Sequence, residues 1–298
     1  MSDLPASVAE PLGRAWTEAE AFAYCTRLTL GHYENFPVGS MLTPKDIQPD
    51  VHSLYAFMRT ADDFSDEDRK PGDEEERMRW LKTWDRMLDD GLTGTPRHPI
   101  FIALKSTLTR RDLPVQWLKD LLHAFEMDVT VRRYKTYADV LTYCRYSANP
   151  VGRLILTLFG YRDDALYGMS DSICTGLQLA NHWQDVAVDL KKDRIYLPQD
   201  DMARFSVTEA SLAQGTAAVG VRALMSYEVE RARQLFVDGK ALPSCVRGRL
   251  RWELKLTWNG GWRILGKIEN AHFDVFRHRP VLTKWDAPLL VLRMLSPQ

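Results

Sequence analysis

"VHSLYAFMRTADDFSDE" (51–67) starts as a helix that belongs in a core and finishes in acid. Through Met58 its apolar residues recur at three- and four-residue spacing, the period of a helix with one buried face. Positions four apart stack along a ridge, so Leu54, Met58, Asp62 and Asp66 form one row, and Val51, Tyr55, Arg59 and Asp63 the next. An inward ridge thus ends in carboxylates.

The same switch occurs in "SICTGLQLANHWQDVAVDL" (172–190), where Ile173, Leu177, Asn181, Asp185 and Asp189 are successive members of one such row. Carboxylates ~4 Å apart repel by roughly 4 kcal/mol at an effective dielectric near 20, and burial adds a desolvation cost. Clusters of this kind need protons or cations. An all-oxygen donor set favours a hard metal such as Mg2+, which takes few protein carboxylates and keeps room for phosphate oxygens. Two acidic patches bridged by metal would hold a diphosphate. The plainer alternatives are a solvated charge run for "DDFSDEDRKPGDEEER" (62–77), and surface pairing of Asp185 and Asp189 with Lys191, Lys192 or Arg194. For the first patch alone the charge run is favoured; taken jointly both alternatives weaken, because each acidic row continues an apolar ridge.

Outward from these stretches, helical periodicity dominates and the class reads as all-α. Helices are predicted at roughly 17–31, 49–66, 73–90, 98–111, 115–133, 136–158, 165–190, 208–238, 243–258 and 262–276. Thr17 with Glu20 and Thr136 with Asp139 have capping-box spacing. Pro150 predicts a kink near Asn149. Long linkers, repeats and low-complexity tracts are absent, so one helical domain over 1–298 is expected.

Composition sets the bounds. Of 298 residues, 45% are hydrophobic and 27% charged, as in globular proteins. Lys and Arg (39) nearly balance Asp and Glu (40), so no global field argues for nucleic acid and charged ligands must be held locally. Cys25, Cys144, Cys174 and Cys245 lie far apart with no C-x-x-C pair, and the three in helical patterns read as buried thiols, which fits a reducing cytoplasm. The start of the chain lacks a signal-peptide pattern, and no run approaches the ~18 apolar residues of a membrane span. "APLLVLRML" (287–295) can touch a bilayer surface, making peripheral contact with the inner face of the cell membrane an option, but a final helix packed on the body is the favoured reading. Neither a Rossmann glycine motif nor a Walker A loop is present.

"DDFSD" (62–66) with "NHWQDVAVD" (181–189) resembles the paired aspartate-rich motifs of the squalene and phytoene synthases. "HYENF" (32–36), "LYAFMRTADD" (54–63), "RYKTYADVLTYCRYSANPVG" (133–152) and "RIYLP" (194–198) follow in that family's order. Within it, "HYENFPV", "SANPVG" and "NHWQDVAVDLKKDRIYLP" look most like the hydroxysqualene synthase branch. The resemblance implies the isoprenoid-synthase helical bundle around a central cavity. It implies Mg2+-dependent ionisation of presqualene diphosphate, capture of the rearranged carbocation by water, and release of hydroxysqualene and diphosphate. A separate flavoprotein would then reduce the product, coupling this chain functionally to other squalene-pathway enzymes.

Carried over by motif, Asp62, Asp63, Asp66, Asn181, Asp185 and Asp189 would hold the Mg2+ ions, the five aspartates being catalytic together with Tyr143. Arg59 and Arg194 would contact phosphate directly, salt bridges to neighbouring aspartates being compatible with that role. His32, Tyr33, Asn35, Phe36 and Tyr55 would complete the substrate site. Phe36, Tyr143 and Trp183 can offer aromatic faces to a carbocation, core packing being as good a reading for each one singly and the favoured one for Trp183. Either Arg277 or Arg279 matches the basic residue that closes the family's diphosphate site. Two stretches depart from the family: "SANPVG" after Tyr-Cys-Arg, and "NGGW" (259–262), which lacks an aromatic that some relatives place beside Gly261. Both suggest a reshaped cavity. The same constellation serves head-to-head condensation of two prenyl diphosphates, to presqualene diphosphate, squalene or phytoene. A non-catalytic isoprenoid-binding or assembly protein is the alternative of another class, and a Mg2+-dependent phosphohydrolase, lacking its His-Asp pairs here, ranks last.

Overall fold

The computed structural model describes residues 4–31, 43–66, 73–277 and 279–295. Among the described residues no strand forms; one isolated parallel bridge joins Arg133 and Ile195. The all-α expectation holds. The chain divides into two compact units, Met1–Thr130 with Leu154–Tyr161, and Val131–Arg153 with Arg162–Gln298.

The first unit contains α1 (Ala6–Ala9), α2 (Glu18–Gly31), α3 (Gln48–Ser65), α4 (Glu74–Thr93), α5 (Pro99–Arg111) and α6 (Gln116–Thr130). Helix α3 is its axis, packed by α2, α4, α5 and α6. Leu54, Phe57, Ala61 and Phe64 are buried along it, each large side chain worth roughly 1.5–3 kcal/mol on removal from water. Trp84 of α4 meets Phe57 at 5.9 Å, Phe64 at 5.7 Å and Phe101 at 4.4 Å between ring centroids, and its Nε1 donates to the Phe57 carbonyl at 3.3 Å. In the first turn of α3, buried Asp50 accepts from Thr107 Oγ1 at 3.0 Å, Arg111 Nε at 2.7 Å and Arg110 Nη2. A carboxylate there complements the positive end of the helix dipole. The Thr17–Glu20 capping box opens α2 as expected, with Thr17 N donating to Glu20 Oε2 at 2.9 Å.

The second unit contains α7 (Tyr137–Ser147), α9 (Asp164–Asp189), α10 (Gln199–Arg204), α11 (Glu209–Ala213), α12 (Val219–Asp238), α13 (Leu242–Cys245), α14 (Gly248–Asn270) and α15 (Ala287–Leu295); α8 (Asn149–Leu158) contributes to both units. Helix α9 is its axis, packed by α7, α12, α13 and α14. Asp163 caps it, accepting from Ala165 N and Leu166 N. The capping box of Thr136 and Asp139 starts α7, and Pro150 separates α7 from α8 at Ala148.

Two expectations need correction. The predicted helix 208–238 is two, α11 and α12, separated by a turn in which Gly215 has φ +64°. The predicted break between 258 and 262 does not exist, since α14 runs straight through "NGGW". Its glycines serve packing: a Cβ on Gly261 would sit 2.6 Å from Leu177 Cδ2 and 2.8 Å from Phe236 Cε1. Gly176 of α9 meets the same ring, with Phe236 Cδ2 3.1 Å from where its Cβ would be. Helices α1, α10 and α13 were too short for periodicity to mark. Of the cysteines, Cys25 and Cys144 are buried and Cys245 is exposed.

Candidate functional site

In the first unit the acidic row emerges from the core at the C-terminal end of α3. Asp62 is 47% exposed and Asp63 19%. Carboxylates sit badly at this end of a helix, where the dipole is negative, at a cost of about 0.3–1 kcal/mol each. Cations offset it. Arg59 divides its guanidinium, Nη1 donating to Asp62 Oδ2 at 3.0 Å and Nη2 lying 2.9 Å from Asp63 Oδ1. Buried Arg77 of α4 donates from Nη1 to the Ser65 carbonyl at 2.9 Å, closing the helix end. Asp66 follows as the cap residue, its N–H donating to the Asp62 carbonyl. Tyr55 stands one turn before Arg59, and burial pushes its hydroxyl pKa up. Asp63 also lines a cleft of about 420 Å³ whose wall includes Tyr24, Thr60, Phe64, Trp80 and His98. His32, Tyr33, Asn35 and Phe36 lie outside the described residues.

In the second unit the row on α9 behaves alike. Asn181 is exposed, while Asp185 and Asp189 are half-buried. Asp185 is gripped by Arg279, from the segment after α14: Nη2 donates to Oδ2 at 2.9 Å and Nε to Oδ1. The hydrogen bonds to Asp185 raise the Arg279 pKa further. Arg277 instead approaches Asp274 at 3.5 Å, so Arg279 is the arginine that meets the motif. Arg194 N donates to the Asp189 carbonyl at 2.9 Å, and both residues line a small cleft with His182, Val186 and Tyr196. The turn between them is held by Arg133, whose Nη2 donates to Asp193 Oδ1 at 2.7 Å and whose Nε donates to Glu209 Oε1 at 2.8 Å.

Tyr143 is 4% exposed and packs against Tyr134, His182 and Tyr196, each at 5.7 Å between ring centroids. His182 stacks on Tyr196 at 3.7 Å, and burial pushes its pKa down to about 3, keeping it neutral. Sequence reasoning singled out Tyr143 and missed His182 and Tyr196, although both fall inside the quoted stretches. Trp183 is core, as favoured, with Nε1 donating to the Glu228 carbonyl at 3.2 Å. Also unforeseen is Glu228, fully buried beside Arg231 (3.3 Å) and Asp201. Arg231 reaches Asp201 at 2.6 Å and stacks on Tyr137 and Tyr227.

The model of squalene/phytoene synthase matches residues 30–286. The chain belongs to the squalene/phytoene synthase family. It is 35% identical over 218 residues to a hydroxysqualene synthase of Rhodopseudomonas palustris, covering 72% of each chain. To a phytoene synthase of Arthrospira platensis it is 28% identical over 282 residues, covering 90% of each. Among solved structures, squalene synthase HpnC from Alicyclobacillus acidocaldarius matches with TM-score 0.81 and 38% identity, over 92% of this chain and 98% of that one. The fold is therefore the helical isoprenoid-synthase fold of this family.

Whether the residues suit Mg2+ can be judged from the donors. Among the described residues no three His, Cys, Asp or Glu side chains converge on a ready-made metal cage. The motif side chains offer only hard oxygens, and those of Asp62, Asp63 and Asp185 lie against guanidinium groups. That arrangement suits Mg2+, which uses one or two carboxylates and fills its shell with water and phosphate oxygens. It does not suit a cation held by protein alone.

Proposed function

We propose that the chain converts presqualene diphosphate to hydroxysqualene and diphosphate, with Mg2+ as cofactor. The observation that carries this reading is the matched construction of α3 and α9, each ending a buried ridge in carboxylates already answered by an arginine. Such half-sites are poised to exchange arginine contacts for a diphosphate and its cations. Support for the hydroxysqualene branch is the identity of 35% to a named hydroxysqualene synthase against 28% to a phytoene synthase.

In this reading Asp62, Asp63, Asp66, Asn181, Asp185 and Asp189 hold Mg2+, which when bound supplies positive charge to the departing diphosphate. Arg59, Arg194 and Arg279 donate to its oxygens. The C–O bond breaks heterolytically and its electron pair leaves with the diphosphate. The buried rings around Tyr143 supply apolar, π-rich surface to the carbocation. Water adds to the rearranged cation and loses a proton, giving the alcohol.

Head-to-head condensation of two prenyl diphosphates is the second reading, favoured by the 90% coverage of the phytoene synthase relative. One experiment separates them: purified protein with Mg2+ and without NADPH is given presqualene diphosphate or, in parallel, farnesyl diphosphate, and products are identified by mass spectrometry. Hydroxysqualene from the first alone supports the proposal. Presqualene diphosphate from the second moves the protein to the condensing step, and no product from either points to a binding protein.

A further inference from the structure

Beyond α14 the chain doubles back along that helix. Lys267 Nζ donates to the Val281 carbonyl at 2.8 Å, Leu282 Cδ1 lies 3.6 Å from where a Cβ on Gly260 would be, and Lys255 Nζ donates to the Met294 carbonyl at 3.1 Å. These contacts seat 281–294 antiparallel to α14 between residues 267 and 255, a distance of about 18 Å at 1.5 Å per residue. Buried Asp286 pins the middle, accepting from Thr283 N at 2.8 Å and Arg263 Nε at 3.0 Å, with Lys267 Nζ at 2.6 Å. Leu290 faces inward and is 8% exposed. The segment is firmly attached.

Its outer side is apolar. Trp285 is 81% exposed, Leu292 64%, Val291 48%, Leu282 43% and Val281 40%. Five of the nine exposed large apolar side chains among the described residues thus fall between 281 and 292. Apolar side chains scattered singly on a surface need no explanation, but five gathered within twelve residues of one attached segment do.

Charge identifies what covers it. Exposed Lys284 and Arg293 flank the patch, and exposed Arg247, Arg249 and Arg251 stand where α14 begins, near Met294. The single acid between 275 and 295, Asp286, is buried and ion-paired. A second copy docking through this face would set like charges against each other, because a two-fold interface pairs a patch with itself. A surface that is negative outside and apolar beneath fits. Tryptophan, with its apolar body and polar N–H, prefers such a boundary. No helix among the described residues is long and apolar enough to cross a membrane.

We propose that residues 281–292 dock this protein onto the surface of an anionic lipid bilayer. Val281, Leu282, Trp285, Val291 and Leu292 enter the interface while Lys284, Arg293 and the arginines opening α14 meet lipid phosphates. The inference stands on this surface, whichever reaction the protein performs.

Flotation of the full chain with vesicles of phosphatidylcholine, alone or mixed with phosphatidylglycerol, tests it. Binding should be about tenfold or more stronger to the mixed vesicles and fall as salt rises. Trp285→Ser with Leu292→Ser should lower binding to mixed vesicles by about tenfold or more, with circular dichroism unchanged, as both side chains already meet water. Lys284→Glu with Arg293→Glu should remove the preference for the anionic vesicles. Equal binding to both vesicle types, or unchanged binding in the first variant, overturns the proposal. So does a concentration-dependent dimer in sedimentation velocity that this variant dissolves, since a second copy would then own the face.

Discussion

Arg279 reaches both carboxylate oxygens of Asp185 from 94 residues further along the chain, making a bidentate pair on the acidic end of α9. Asp185 remains 23% exposed, so its role in holding the fold is small. Asp185→Asn should therefore abolish diphosphate release while leaving the melting temperature within a few degrees of wild type. Arg279→Ala should strengthen Mg2+ binding to the substrate-free protein in titration calorimetry, because a competing cation is gone. Weakened Mg2+ binding in that variant would show that the arginine does not compete.

Arg59 serves two aspartates through two different nitrogens, a geometry that lysine cannot reproduce. Arg59→Lys should keep the charge yet lower kcat/KM by about 10–100-fold, at roughly 1.4 kcal/mol per factor of ten. Steady-state kinetics checks this, and unchanged kcat/KM would mean that charge alone suffices.

Burial raises the Glu228 pKa to about 8, with nearby Asp201 adding to the shift and Arg231 opposing it. An unfolded glutamate titrates near its ordinary value of 4.5, so the folded state binds the extra proton between the two values. The neutral Glu228 contribution to stability is thus fully present below pH about 4.5 and lost as pH rises through about 8. Glu228→Gln should flatten this decline and raise stability at pH values above 8, read by denaturant melts across pH. A parallel decline in both proteins would assign the dependence elsewhere.

Asp50 is fully buried and draws Thr107, Arg110 and Arg111 to the start of α3. Asp50→Ala should destabilise the protein by about 2–4 kcal/mol, the lower part of that range being expected because Arg110 and Arg111 can regain water. Chemical denaturation measures the loss.

How much of this was legible in the sequence depended on locality. Helical period and capping boxes are written within a few residues, and both Thr17–Glu20 and Thr136–Asp139 formed as read. The acidic rows were legible for the same reason, since α3 and α9 carry them on single ridges. Arg279 was seen only as one of two candidates, because a loop residue has no period that fixes where it points. Glu228 and Asp201 were invisible: their pairing depends on how α10 meets α12. Gly260 and Gly261 misled, since glycine signals a break and a close approach alike.

Phe236 fills space left by two glycines, Gly176 on α9 and Gly261 on α14. These three positions therefore share one volume, so their fates under mutation are linked. A larger residue at 261 is admissible only if 236 shrinks at once, and each change alone passes through a clash or a void. Selection from a library varied at 261 alone should return glycine, whereas joint variation of 176, 236 and 261 should recover compensated triplets. The cost of a change at any of the three is set by the history of the other two.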